Sequence, residues 1–224
     1  MQIIAHRGAS AFFKENTLTA FKAAYAFGVN AFETDIQLSK DGYLVLHHDY
    51  LLNKKPIKAY LLKELKKFGV CTLEELLQIL DKKSFLNIEI KNDDNIYPDI
   101  EKKLFACLKK YGQDKNPHLL ISSFYLPSLY KTKKFLPLLK IGRLTKNFDL
   151  KEIEKLSPYS VNMSYKRVNK NIISLCHKKN IKVFIYTIND LQLFYKLKKD
   201  GVDAVFSDNP VLNQTNFFAI GASL

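Results

Sequence analysis

Ala31-Phe32-Glu33-Thr34-Asp35-Ile36-Gln37-Leu38, then Ser39-Lys40-Asp41-Gly42, then Tyr43-Leu44-Val45-Leu46-His47-His48 is the stretch on which the fold turns. Asp41-Gly42 between two apolar runs is a hairpin signal. The link is far too short for a parallel crossover, so the two runs must be antiparallel. A tight turn sets residues 33–35 opposite residues near 48 and brings His48 back beside Glu33 and Asp35. Everything outside this stretch follows a different rhythm. Apolar runs at 3–5, 31–35, 86–90, 119–122, 139–142, 160–163, 183–186 and 204–206 alternate with amphipathic stretches at 17–27, 73–80, 100–111, 127–135, 150–156, 170–179 and 191–199. That alternation argues for βα units and a parallel sheet. Thr72 with Glu75 three residues later, and Asp190, stand where helix caps are expected. Eight strands, seven helices and one composition regime predict a single domain over residues 1–224. The architecture is a (β/α)8 TIM barrel with a β-hairpin extension after strand 2. A doubly wound open sheet is the competing architecture.

The 224 residues are 47% hydrophobic and 25% charged with only seven prolines, which suits a folded domain with a substantial core. The net charge is +13, and with arginine only at Arg7, Arg143 and Arg167, 35 − 3 = 32 of the basic residues are lysine. A positive field draws anionic substrates, although a lysine-rich solvated surface accounts for most of the excess. Scarce arginine argues against a nucleic-acid partner. Cys71, Cys107 and Cys176 are odd in number and widely spaced, and read as packing residues in a reducing compartment. Met1-Gln2-Ile3-Ile4 runs straight into a strand without a leader pattern, and no apolar run is long enough to span a bilayer. A cytoplasmic protein without stable membrane insertion is expected.

Glu33 and Asp35 are one residue apart, so in a strand they share a face and repel each other unless a cation lies between them. Leu86-Asn87-Ile88-Glu89-Ile90-Lys91 puts Glu89 and Lys91 on one face of another strand, adding a third carboxylate and a cation for a phosphate. Three carboxylates without a Cys or His cluster favour a hard ion, Mg²⁺ or Ca²⁺. Solvated acidic positions are the bland alternative, but the set falls at strand ends of an otherwise basic protein. His6-Arg7-Gly8 closes the first strand with a proton carrier, a planar fork for phosphate and a residue that permits close backbone approach. A buried structural histidine is the alternative for His6. His48-Asp49 ends the hairpin, so two histidines can flank one site, the minimum for an acid and a base on opposite sides of a phosphorus. His47 faces away if the strand continues and reads as structural. His118 and His177 receive no role.

In order along the chain, His6-Arg7-Gly8, Glu15-Asn16-Thr17, Glu33-Thr34-Asp35, Asp41-Gly42, His48-Asp49 and Glu89-Ile90-Lys91 resemble the glycerophosphodiester phosphodiesterases. Ser122-Ser123-Phe124, Tyr186-Thr187-Ile188-Asn189 and the run from Gly201 to Pro210 carry the resemblance to nearly the whole chain. It implies a TIM barrel, one divalent cation (Mg²⁺ or Ca²⁺) held by Glu33, Asp35 and Glu89, His6 and His48 as general acid and base, and Arg7 and Lys91 on the phosphate. The implied reaction is cleavage of a small-molecule glycerophosphodiester to sn-glycerol 3-phosphate and an alcohol, with the glycerol 2-hydroxyl as internal nucleophile. A lysophospholipase D-like activity on lysolipids is the alternative; Phe12 and Phe13 beside the site favour such a substrate, and core packing explains them as well. The sequence departs from the family pattern at residues 50–70, a short lysine-rich stretch in place of a small inserted subdomain. It departs again at Tyr186, where the family often has Trp, and at the doubled histidine His47-His48.

Overall fold

Successive side chains of a strand point to opposite faces, so one face of each barrel strand packs on helices and the other points into a ring. The computed structural model describes residues 1–214, and the last ten residues of the expected domain lie outside that range. The elements run β1 (Gln2–His6), α1 (Leu18–Ala26), β2 (Ala31–Leu38), β3 (Leu44–Leu46), β4 (Leu51–Leu52), β5 (Lys55–Pro56), α2 (Leu62–Lys67), α3 (Leu73–Ile79), β6 (Phe85–Ile90), α4 (Ile100–Lys110), β7 (Leu119–Ser123), α5 (Leu126–Phe135), β8 (Lys140–Thr145), α6 (Leu150–Leu156), β9 (Ser160–Ser164), α7 (Lys170–Lys178), β10 (Lys182–Tyr186), α8 (Leu191–Lys199) and β11 (Ala204–Ser207). β1 pairs in parallel with β2 on one side and with β11 on the other. The eight parallel strands β1, β2 and β6–β11 therefore close into a TIM barrel, and the open-sheet alternative falls because β1 has no free edge. The helix caps form as expected: Thr72 accepts from the Glu75 amide while Glu75 accepts from the Thr72 amide, and Asp190 accepts from the Leu193 amide.

Outside the ring, Phe21 of α1 packs edge-on against Phe32 of β2, with ring centroids 6.3 Å apart and both side chains buried. Truncating either to alanine costs about 3–5 kcal/mol. A second shell of Val183, Phe194, Val205 and Ile173 seals the α7–α8 side. Inside the ring an apolar plug of Ile4, Ala31, Leu120, Phe184, Ala204 and Phe206 fills the barrel. Toward the C-terminal ends of β1, β2 and β6 the inward positions turn polar. This division places the chemistry at one mouth.

The hairpin departs modestly from expectation. Pairing ends at Leu38↔Leu44, so the connection is 39–43, one residue longer than the Ser39–Gly42 link read from the sequence. Ser39 holds it, donating to Asp41 at 2.7 Å and accepting from the Tyr43 amide at 3.0 Å, with Gly42 at φ 81°. Residues 50–70 fold into the β4–β5 ribbon, a 3-10 turn at Ile57–Ala59 and α2, around a small core of Val45, Ile57, Tyr60, Leu65 and Val70. The sequence pattern missed α2 because only Leu65 of its six residues is buried, too little to set a period. Cys107 and Cys176 are buried and Cys71 is half-buried, and all three are free. Among the described residues no helix is long and apolar enough to cross a membrane.

Candidate active site

The end of β1 is bent by necessity. Arg7 has φ 58° and Gly8 φ 86°, and a Cβ on Gly8 would lie 2.7 Å from the Ala20 carbonyl carbon of α1. Only glycine lets the chain turn this close to the helix. The turn sends the Arg7 guanidinium back over β2, where Nε lies 3.2 Å from Asp35 Oδ2 and Nη1 donates to Glu15 at 2.8 Å. The Arg7 amide donates to Glu33 Oε2 at 3.1 Å. Asn16, at φ 56°, donates to Asp35 Oδ2 at 3.0 Å and accepts from the Thr34 hydroxyl at 2.8 Å. It thus orients a carboxylate, a role the sequence reading did not give it.

Ligand atoms of Glu33, Asp35 and Glu89 all lie within 4.8 Å of one another. Strand register makes this unavoidable, because Asp35 pairs with Glu89 and Glu33 with His6. Lys91 Nζ lies 3.0 Å from Glu89 and 3.9 Å from Asp35. Burial first, then Asp35 and the neighbouring Glu89, push the Glu33 carboxyl well above the usual range. Glu89 is raised to about 7 by burial and by Asp35, with Lys91 opposing. Lys91 keeps its proton more firmly than an ordinary lysine: burial works against its charge, but Glu89 and Asp35 outweigh it.

His6 is clamped from the far end of the chain. Its Nδ1 lies 2.6 Å from Asp208 Oδ1, while Asn189 donates to Asp208 Oδ2 at 2.6 Å and Ser10 donates to Oδ1 at 3.1 Å. Although burial works the other way, the bonds from His6 and Asn189 hold Asp208 down at about 2. An ionised Asp208 fixes the Nδ1 proton on His6 and leaves Nε2 facing the cluster, 3.9 Å from Glu33. The sequence reading quoted Asp208 within a motif but assigned it nothing, since a contact across 202 positions leaves no local pattern.

His48 arrives by another route. Strand pairing stops at Ile36↔Leu46, and beyond it the His47 amide still donates to the Asp35 carbonyl at 3.2 Å. Buried Gln37 then takes over, its Nε2 donating to the His47 and Asp49 carbonyls at 2.8 and 2.7 Å. Its Oε1 accepts from the Tyr97 hydroxyl at 2.8 Å, and the Tyr97 amide donates to Asn92 at 2.7 Å. Asn92 in turn is bonded to buried Glu101 and Ser128. Among the described residues the His48 ring hydrogen-bonds only with Asp49, at 2.8 Å. Burial, with Lys91 and Arg7, lowers His48 below the ordinary histidine value despite Asp35. His47 closes on the Asp49 carbonyl at 2.8 Å, and His177 pairs with Asp203 at the opposite end of the barrel.

The cleft that results has a volume of about 200 Å³. His6, Arg7, Glu33, His48, Asn87 and Glu89 line it, and Phe124, Tyr186 and Phe206 add an aromatic wall. Asp35 and Lys91 join through contact with the cluster rather than by lining the cleft. Phe124 and Tyr186 meet edge-on at 6.3 Å, and burial raises the Tyr186 hydroxyl to about 12, so the wall is neutral. All seven residues singled out from the sequence come together.

A closed barrel whose ionisable groups gather at the C-terminal ends of its strands places the chain among the TIM-barrel enzymes. The model of the glycerophosphoryl diester phosphodiesterase family matches residues 6–212, and the chain belongs to that family. A glycerophosphodiester phosphodiesterase of Caldanaerobacter subterraneus subsp. tengcongensis is 34% identical over 93% of this chain and 94% of its own. Among solved structures, an Oleispira antarctica phosphodiesterase in complex with the product sn-glycerol-3-phosphate superposes with a TM-score of 0.87 at 28% identity, covering 94% of each chain. A Thermotoga maritima glycerophosphodiester phosphodiesterase does so with a TM-score of 0.80 at 29% identity, covering 94% of this chain and 95% of its own. The protein is an enzyme, a phosphoric diester hydrolase of the glycerophosphodiester phosphodiesterase type.

Proposed function

We propose that the enzyme hydrolyses glycerophosphodiesters to sn-glycerol 3-phosphate and an alcohol by two-histidine acid–base catalysis at a cation-binding carboxylate cluster. The observation that carries this is the convergence of His6, His48, Glu33 and Glu89 on one cleft. A divalent cation, Mg²⁺ or Ca²⁺, fits Glu33, Asp35 and Glu89: Asp35 Oδ1 is buried without a hydrogen-bond partner among the described residues, and burial beside the neighbouring carboxylates raises the proton affinity of Glu33 and Glu89. When bound it supplies Lewis-acid stabilisation of charge on the phosphoryl oxygens. Arg7 and Lys91, both held cationic by the surrounding carboxylates, orient the phosphate. One imidazole takes the proton of the glycerol 2-hydroxyl as it attacks phosphorus, and the other gives a proton to the departing alcohol oxygen. The two exchange roles when water opens the cyclic phosphate. The aromatic wall excludes water from the side of the organic arms.

Residues 1–224 act in this reading as one catalytic domain in a reducing, cytoplasmic compartment, which the three free cysteines support. The test is release of glycerol 3-phosphate from glycerophosphocholine with chelator and then with Mg²⁺ or Ca²⁺ restored. Activity that vanishes with chelator and returns with metal upholds the reading; no release with either metal sinks it. Lysolipids are the second reading, favoured by Phe12 and Phe13, which stand 50% and 39% exposed in the loop after β1. Faster cleavage of lysophosphatidylcholine than of glycerophosphocholine would select it.

A further inference from the structure

Around the inner wall from the carboxylates, the barrel is polar without being saturated. Asn87, Ser122, Ser160 and Asn162 are each at most 1% exposed. Ser160 donates to Asn162 Oδ1 at 2.7 Å. The amide oxygen of Asn87, the hydroxyl of Ser122 and the amide nitrogen of Asn162 have no hydrogen-bond partner among the described residues. Buried polar groups are rarely left so, and each one needs an explanation.

They stand on β6, β7 and β9, with Gly142 of β8 between the last two. Ser122 is in register with Glu89 on one side and Gly142 on the other, and Gly142 is in register with Ser160. Asn87 occupies the inward position before Glu89, is paired with Glu33, and lines the cleft. Gly142 keeps the space open: a Cβ there would lie 3.0 Å from Ser160 Oγ, 3.1 Å from Asn162 Nδ2 and 3.3 Å from Ser122 Cβ. The unsatisfied atoms are an acceptor, a hydroxyl that can do either, and a donor. That set matches an alcohol or water oxygen, which gives one proton and takes others. It does not suit a cation, since none of the four side chains is charged and an amide donor points into the set.

We propose that Asn87, Ser122 and Asn162 form a neutral subsite that takes a hydroxyl oxygen, supplied by the terminal hydroxyl of the glycerol arm or by a water. The first source rests on the glycerophosphodiester reading, and the second does not. With the 2-hydroxyl required at phosphorus, the remaining hydroxyl of the glycerol arm is the one group of the substrate left for an uncharged polar partner. Asn87 then separates glycerol from shorter diols.

The experiment has two arms. In the first, kcat/KM is measured for glycerophosphoethanolamine and for the 2-hydroxyethyl analogue that lacks the terminal CH2OH, in wild type, Asn87→Ala and Ser122→Ala, each checked by thermal melting. In the second, a high-resolution crystal structure of the substrate-free wild type is examined for oxygen at hydrogen-bonding distance, about 2.7–3.2 Å, from at least two of the three atoms. A loss of roughly 10-fold on the glycerol substrate with less than about 2-fold on the analogue identifies the substrate hydroxyl, and is the size expected of one buried hydrogen bond. An ordered oxygen in the crystal identifies water. Neither a selective loss nor an oxygen overturns the proposal, including the case where both substrates slow equally. Should the wild type cleave neither substrate, the functional reading fails, and the crystal arm alone decides the subsite.

Discussion

His6 and His48 face the same cleft but are held by opposite means. The His6 ring is gripped directly by Asp208, itself bonded by Asn189 and Ser10, so its tautomer is set by a carboxylate fixed in place. The His48 ring, among the described residues, hydrogen-bonds only with Asp49, whose side chain is 76% exposed. What is fixed at His48 is the backbone, through Gln37 and Tyr97. A proton carrier can be positioned by constraining its ring or by constraining the chain that bears it. The two strategies predict different sensitivities for the residues behind each histidine.

The largest expected effect tests whether both rings matter at all. His6→Ala and His48→Ala should each lower kcat by roughly 10²–10⁴-fold; a variant that retains a third of the wild-type rate removes that histidine from the chemistry. Next comes Asp208→Asn, which keeps the shape but loses the charge that fixes the His6 tautomer. It should cost roughly 10–100-fold in kcat and move a limb of the pH–rate profile, and an unmoved profile breaks the contrast from the His6 side. Gln37→Leu should cost about 10-fold in kcat because the loop loses its restraint, with stability lowered by about 1–3 kcal/mol as Tyr97 and two carbonyls lose their partner. Denaturant melts separate the two effects.

A smaller effect comes from the cluster between the histidines. Glu33 and Glu89 have folded pKa values above their unfolded ones, Glu89 at about 7 against an ordinary 4.5. Between those values the folded state holds protons the unfolded state has released, so stability falls as pH rises through that window. The Tm of chelated protein should drop between about pH 5 and 7.5, and Mg²⁺ or Ca²⁺ should restore it; a Tm that climbs over the same range contradicts the arrangement. Smallest of all is Asp49→Asn, expected within about 3-fold of wild type, as for an exposed pair. If it matched Asp208→Asn, the two histidines would be held alike after all.

The barrel could be read from the sequence because its signals are local. Apart from β2, whose helix follows the hairpin and residues 50–70, each strand and its helix lie within about thirty residues, and the hairpin announces itself at Asp41-Gly42. Glu33 with Asp35, and Glu89 with Lys91, were legible because spacing by two fixes a face. Their meeting across β2 and β6 followed once the barrel was assumed. Asp208, Asn16 and Gln37 were not legible as site residues, because their roles are long-range bonds that no periodicity encodes. The ribbon at residues 51–56 and α2 escaped for a different reason: they are too short to repeat.

The pairing of β1 with β11 has a consequence in time. On the ribosome the strand bearing His6 is made long before one of its two neighbours, β11, and the carboxylate that orients His6, which follow some two hundred residues later. Until then β1 keeps an open edge and His6 an unguided ring, and joining such distant segments is the entropically slow part of folding. The cluster is therefore finished late: a nascent chain carries the carboxylates and both histidines well before it carries β11 and the Asp208 carboxylate that meets His6.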